Sequence, residues 1–182
     1  DPALAEIAPS FWRYQNLDPI GGGAFQRLLL QNIVTGCAAM ANRALLRRAL
    51  PLPQEAIMHD WWLALVASAF GHIEALPQPT VLYRQHGANE IGAKRWSATG
   101  IARRLCRGLW EGDISRSLAA TQRQASVFAA RYAVQLPPGM RAAVKAYADI
   151  ARHGFIARRR ILFRHGLRKN GWARTLGLLA WI

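Results

Sequence analysis

Cysteines, long apolar runs and, in one half of the chain, acidic residues are scarce in this 182-residue sequence. The two cysteines, Cys37 and Cys106, lie far apart, and neither belongs to a C-x-x-C or Cys/His metal spacing. This excludes a disulfide framework and favours a reduced, cytoplasmic setting. No run of about 18 apolar residues occurs, so no segment clearly spans a bilayer.

The scarcity of acids is confined to the second half of the chain. Residues 1–93 carry 6 Arg against 7 Asp and Glu, whereas residues 94–182 carry 18 Lys and Arg against 3 acids. The formal net charge of +14 therefore arises entirely from the second half. Such an asymmetry indicates an anionic partner, either a membrane surface or a nucleic acid, unless the cations form only a solvated helical face.

The first region, residues 1–94, mixes helical and extended patterns. The mostly apolar run with β-branched residues at 32–41 predicts a buried strand, and residues 72–76 and 80–84 predict two short strands. Helix-forming composition predicts helices at residues 24–31, 42–50 and 61–70, the last of them buried.

The second region, residues 95–182, has a different character. Its apolar residues recur at helical spacing with Arg between them, which predicts basic amphipathic helices. The predicted helices cover residues 101–110, 114–132 and 140–151, and a strongly basic and apolar stretch follows at 158–182.

Three motifs follow one another in the first half, namely Thr35-Gly36-Cys37, His59-Asp60-Trp61-Trp62 and Tyr83-Arg84-Gln85-His86-Gly87. In this order and spacing they resemble bacterial family-2 glycosyltransferases of the GT-A fold, especially the rhamnosyltransferase-like members. The resemblance covers roughly the first half of the chain. It implies an α/β fold in which residues 1–94 form the acceptor-side half of the catalytic domain, followed by a basic helical tail.

The resemblance also implies that the chain is a C-terminal fragment. Enzymes of this family place a nucleotide-binding half before the acceptor half, but here neither a Gly-rich phosphate loop nor an Asp-x-Asp precedes the motifs. The only two acids spaced two residues apart, Glu111 and Asp113, come after the motifs. We therefore expect the chain alone neither to hold a donor metal nor to transfer sugar.

Asp60 is the predicted catalytic residue. An inverting glycosyl transfer needs a carboxylate near the acceptor hydroxyl to take its proton, and the resemblance places that carboxylate at a helix start, where Asp60 stands. The alternative is that Asp60 only caps the helix that follows. The resemblance also predicts His86 as a ligand of the divalent metal, Mg²⁺ or Mn²⁺, that holds the donor diphosphate, with most ligands coming from the absent half. The alternative for His86 is a polar surface residue in a turn.

Five further residues are predicted to bind the donor or the acceptor. Arg84 suits a donor phosphate, or else a salt bridge at a strand end. Thr35 and Gly36 would line the acceptor site, because glycine has no Cβ and lets a ligand approach the backbone, or else they form a tight strand contact. His59 stands where the family more often has an acid, and Trp61 either stacks on a ligand or packs in the core.

The resemblance implies a glycosyltransferase that acts on a nucleotide-sugar donor and a cell-surface polysaccharide or lipid-linked glycan acceptor. A lipid-linked acceptor predicts a peripheral location on the inner face of the cell membrane, where the basic tail would meet anionic headgroups. The alternative function is a non-catalytic basic helical module that docks on an anionic membrane or a nucleic acid.

Overall fold

The computed structural model describes residue 3 and residues 5–19, 24–84 and 110–182. Its helices are α1 (Phe11–Gln15), α2 (Ala24–Leu28), α3 (Arg43–Ala49), α4 (His59–Phe70), α5 (Trp110–Tyr132), α6 (Pro138–Ala148), α7 (Phe155–Arg164) and α8 (Trp172–Trp181). Helices account for 59% of the described residues, and none of these residues lies in a strand. The predicted α/β fold of a GT-A domain is therefore wrong, because the described part of the chain is all-helical.

The three predicted strands are irregular segments in the structure. The run that starts at Asn32 is extended for only a few residues and then enters a 3₁₀ turn at Gly36–Ala38. The Val34 amide donates to the side-chain oxygen of Asn32 at 3.0 Å, which is a local bond and not a ladder to a neighbouring strand. Residues 72–76 and 80–84 also lack strand pairing. β-Branched composition favours a pleated surface only where a partner strand is present.

Most of the predicted helices are present in the structure. The predicted helices at residues 24–31, 42–50, 61–70, 114–132 and 140–151 are confirmed, with shifted ends. α3 begins after Asn42, whose side-chain oxygen accepts from the Leu45 amide at 2.9 Å and so satisfies a donor at the helix start. The predicted helix at 101–110 lies, except for its last residue, outside the described residues.

A single apolar core joins the two halves of the sequence. Trp62 of α4 is fully buried and packs edge-on against Phe128 of α5, with ring centroids 5.5 Å apart. Phe128 in turn contacts Tyr132 at 4.9 Å and Phe25 of α2 at 5.8 Å. The residues before 84 and after 110 therefore fold around shared aromatic side chains. The predicted domain boundary near residue 94 lies outside the described residues.

The loop between α3 and α4 is fixed by side chains of α5. The Arg131 guanidinium donates to the carbonyl oxygens of Leu50 and Pro51, each at 2.7 Å. The Tyr132 hydroxyl donates to the carbonyl oxygen of Arg48, also at 2.7 Å. Since carbonyls at a helix C-terminus have no partner within the helix, these bonds both satisfy them and set the position from which α4 begins.

α6 packs along α5 through a buried polar pair. The Thr121 hydroxyl lies 2.6 Å from the Tyr147 hydroxyl, and both side chains are buried. Burial raises the pKa of Tyr147 far above its usual value, because the ionised phenol would lose its hydration. This tyrosine therefore stays neutral and serves the packing of the two helices.

The end of the chain folds back onto its beginning. The side chain of Asn170, which is 2% exposed, accepts from the Asp18 amide at 3.1 Å and donates to the Asp18 carbonyl at 3.0 Å. Arg174 of α8 donates to the carbonyl of Asn16 at 2.8 Å and also to that of Gln15. Burial and the neighbouring Arg174 lower the pKa of Lys169. These bonds fix α8 against the segment that follows α1.

Candidate functional site

The best-defined polar cluster surrounds the first turn of α4. The Asp60 side chain is only 4% exposed. Its Oδ1 accepts from the backbone amide of Trp61 at 2.7 Å and from the side-chain amide of Asn32 at 3.2 Å. Burial of a carboxylate is costly unless donors compensate it, and here two donors converge on the same oxygen. The carboxylate is thus held in one orientation by its Oδ1 atom.

The second oxygen of Asp60 faces a glycine. A Cβ atom built on Gly36 would lie 3.2 Å from Asp60 Oδ2 and 2.7 Å from His59 Nε2. The second distance is too short for any real Cβ, so a larger residue at position 36 would displace the imidazole. The 3₁₀ turn that begins after Thr35 brings Gly36 here, closed by a bond from the Ala38 amide to the Thr35 carbonyl at 2.9 Å.

The structure therefore brings together four of the residues that the sequence motifs singled out, namely Thr35, Gly36, His59 and Asp60. His59 is exposed to solvent, whereas Asp60 beside it is buried. An exposed imidazole next to a fixed carboxylate oxygen can form hydrogen bonds to a polar ligand that reaches the same place.

The Trp61 side chain belongs to the core. Its indole N–H donates to the carbonyl oxygen of Leu28 at 2.6 Å, and the side chain is buried. Trp62 donates likewise to the Ala49 carbonyl at 3.1 Å. Trp61 therefore packs in the core, which was the alternative to stacking on a ligand, and Trp62 packs in the core as well.

The third motif is only partly described. Tyr83 packs its ring edge-on against Phe11, with centroids 5.6 Å apart. Arg84 is exposed at the end of the described segment. His86, the predicted metal ligand, lies outside the described residues, and the structure therefore leaves its role as a prediction.

The divalent metal implied by the resemblance has no complete ligand set in the described ranges. Within residues 5–19, 24–84 and 110–182 no group of three or more His, Cys, Asp and Glu side chains is placed to hold a metal ion. The cluster at α4 supplies two such side chains, His59 and Asp60. The described residues therefore do not fit a metal site by themselves.

Asn32 is the site residue that the sequence analysis missed. Its side-chain amide donates to Asp60 Oδ1 and contacts Met58 Sδ at 3.9 Å, while its oxygen accepts from the Val34 amide. Every polar atom of this side chain is thus used to fix the turn and the carboxylate. The available signal was an amide at the first position of the apolar run 32–41, for which the β-branched composition predicts a strand.

Searches against protein-family models, curated proteins and solved structures found no match to this chain. The glycosyltransferase resemblance accordingly depends on the three motifs alone. Among the helices that the structure describes, none is both long enough and apolar enough to cross a membrane.

Proposed function

We propose that this chain is part of a glycosyltransferase that moves a sugar from a nucleotide-sugar donor to a hydroxyl of a cell-surface polysaccharide or lipid-linked glycan, with inversion. The observation that supports this proposal is the geometry at Asp60. One carboxylate oxygen is fixed by two donors, and the other lies beside Gly36, where nothing larger than a hydrogen atom fits against His59 and Asp60. A general base needs an oxygen that is held in one orientation, within hydrogen-bond reach of the hydroxyl whose proton it takes.

In the proposed reaction the acceptor hydroxyl donates a hydrogen bond to Asp60 Oδ2. The acceptor oxygen attacks the anomeric carbon of the sugar, its proton passes to Asp60, and the bond from that carbon to the nucleotide diphosphate breaks. The diphosphate leaves with the bonding electron pair. Attack from the face opposite the leaving group inverts the anomeric configuration, and His59 would hydrogen-bond a neighbouring hydroxyl of the acceptor.

Two further predicted residues, Arg84 and His86, complete the proposal. Arg84 would pair with a donor phosphate through its guanidinium fork. The divalent metal would be held mainly by a nucleotide-binding half, with His86 as the ligand from this chain. A lipid-linked acceptor would place the enzyme in the cytoplasm, on the inner face of the cell membrane.

An activity assay tests the proposal. The intact enzyme that contains this chain is incubated with UDP-, GDP- and dTDP-sugars, Mg²⁺ or Mn²⁺, and a lipid-linked glycan acceptor. We expect release of a nucleoside diphosphate that depends on the acceptor, and NMR of the product should show an inverted anomeric centre. Release without acceptor would point to a hydrolase. If no donor is consumed, the non-catalytic docking module becomes the better function.

Gly36→Ala is expected to lower turnover by about 10- to 100-fold, because the added methyl group would displace the His59 imidazole and crowd Asp60 Oδ2, and so disturb the geometry at the proposed base. The thermal stability should change little, since the closest contact, His59 Nε2, belongs to an exposed side chain that can move. Initial rates and thermal unfolding of the same samples measure both effects.

Gly139→Ala is the matched control, because a Cβ at position 139 would meet nothing within 4 Å. It should leave turnover unchanged. Equal rates for Gly36→Ala and the unsubstituted enzyme would show that the close packing of Gly36 against His59 and Asp60 does not affect catalysis.

A further inference from the structure

Helix α7 presents large apolar side chains to solvent on one face. Ile156 and Phe163 are 66% and 73% exposed, and their i, i+7 spacing places them on the same side of the helix. Leu162, in contrast, is buried in the core. Exposed apolar residues that are grouped on one helix face mark an interaction site more often than scattered ones do.

The arginines of α7 fall into two kinds. Arg158 and Arg159 serve the fold: Arg158 donates to the carbonyls of Ala151 and Ile182, and Arg159 donates to that of Leu179 in α8. Arg160 and Arg164 are exposed and form no hydrogen bond or ion pair within the described part of the chain. Two cations are therefore available for an external partner.

These two arginines share the face of the exposed apolar residues. Positions 156, 160, 163 and 164 follow the i, i+4, i+7, i+8 spacing of a helical stripe. We call Ile156, Arg160, Phe163 and Arg164 the α7 face. It alternates apolar and cationic side chains, so that each large apolar group has a cation beside it.

The charge around the α7 face has a single sign. Residues 150–182 contain 8 Lys and Arg and no Asp or Glu. The acid just before this stretch, Asp149, is paired with Arg152 at 3.1 Å. No carboxylate of this stretch can neutralise Arg160 or Arg164, and an anionic partner would meet an uncompensated positive surface.

We propose that the α7 face docks on the surface of an anionic lipid membrane. Ile156 and Phe163 would enter the boundary of the acyl chains while Arg160 and Arg164 contact the phosphate headgroups, which is how interfacial amphipathic helices bind. A nucleic acid would use the arginines but would leave the aliphatic Ile156 without a partner. Lipid satisfies both components of the face. This inference is independent of sugar transfer.

Helix α8 carries a second stripe of exposed apolar side chains. Trp172 and Leu176 lie one turn apart and are 77% and 56% exposed. Tryptophan is enriched at the interface between membrane and water because its ring is apolar and its N–H is polar. Trp172 and Leu176 have no cation at helical spacing comparable to Arg160 and Arg164, so their substitution should weaken docking less than changes in the α7 face.

Vesicle co-sedimentation of the 182-residue chain at 0.15 M salt tests the proposal, with phosphatidylglycerol mixed into phosphatidylcholine as the anionic surface. We expect binding to these vesicles and little binding to pure phosphatidylcholine. Arg160→Glu with Arg164→Glu should weaken binding by at least about 30-fold, since each cation near an anionic membrane contributes on the order of 1 kcal/mol. Ile156→Gln with Phe163→Gln should weaken it at least about tenfold.

Matched controls keep the comparison specific. Arg43→Glu with Arg47→Glu makes the same change in net charge, at exposed positions with the same i, i+4 spacing on α3. Leu82→Gln with Val134→Gln removes two exposed apolar side chains elsewhere. Each control should reduce binding by about threefold at most. The charge control acts mainly through long-range attraction, which salt screens beyond a Debye length. The apolar control removes side chains that lie outside the α7 face. Circular dichroism verifies that every variant is folded.

Three results would overturn the proposal. The first is an absence of binding to the anionic vesicles. The second is equal loss in the α7-face variants and their controls, which would indicate non-specific charge attraction. The third is binding to duplex DNA instead of vesicles, sensitive to the Arg160 and Arg164 changes but not to the Ile156 and Phe163 changes, which would assign the face to a nucleic acid.

Discussion

Asp60→Asn is expected to lower kcat of the intact enzyme by about 10²- to 10⁴-fold, the usual contribution of a general base. The structure indicates that this substitution removes the proposed base and keeps the hydrogen bonds that hold the side chain. Asparagine retains an oxygen at Oδ1, which can still accept from the Trp61 amide and the Asn32 side chain. It replaces only Oδ2, the atom that faces Gly36, with an amide nitrogen that cannot take a proton. KM should stay nearly constant, because the lost interaction arises only in the transition state.

The capping alternative makes a different prediction for the same variant. If Asp60 only stabilises the start of α4, Asp60→Asn should reduce the free energy of unfolding by about 0.3–1 kcal/mol, the charge contribution at a helix N-terminus, and leave kcat unchanged. Steady-state kinetics and chemical denaturation on the same preparations separate the two roles. Turnover within about threefold of the unsubstituted enzyme would remove Asp60 from the mechanism.

Glu55→Gln is the matched control for Asp60→Asn. Glu55 is an exposed carboxylate in the loop before α4, so the change removes the same charge a short distance along the chain. We expect full activity. A loss comparable to that of Asp60→Asn would show that net charge near the loop, and not proton transfer, sets the rate.

The sequence predicted the helix that carries Asp60 well, for a physical reason. Residues 61–70 are almost entirely apolar, and a run of this length favours a helix buried on most sides, as α4 is. The closeness of Gly36 to Asp60 was implied by the motif resemblance and not by periodicity. No local sequence pattern predicts that the 3₁₀ turn at Gly36–Ala38 and the first turn of α4 lie in contact.

The strand predictions failed because β-branched composition indicates a preference for extended backbone but does not show whether a neighbouring strand is present to pair with. The run at Ile33-Val34-Thr35 has β-branched residues, yet Ile33 packs into a helical core and Asn32 turns the chain locally. A strand also needs a neighbouring strand for its backbone hydrogen bonds, and none of the described residues forms one. The contact between Asn170 and Asp18, which are 152 residues apart, could not be predicted from the sequence either. It joins an amide side chain to two backbone groups, and backbone groups leave no signal in the sequence.

The apolar core under the site should be the most sensitive part of the fold. Trp62→Ala is expected to lower the free energy of unfolding by about 3–5 kcal/mol, as for other large aromatic truncations in cores. Trp62 is fully buried, its ring packs against Phe128 and Tyr132, and its indole N–H is bonded to the Ala49 carbonyl at the end of α3. Truncation opens a cavity and leaves that carbonyl without its donor.

Urea denaturation with linear extrapolation measures this loss, and the slope verifies that the same surface unfolds. Trp62→Phe refills most of the volume but still removes the indole donor, so we expect a smaller loss of about 1–3 kcal/mol. Trp172→Ala, which truncates an exposed tryptophan, should stay within about 0.5 kcal/mol of the unsubstituted chain. Similar losses for Trp62→Ala and Trp172→Ala would mean that α4 is not the centre of the fold. A large loss for Trp62→Ala alone would show that the core holds the helix that carries Asp60 in place, and a base that must stay oriented needs such support.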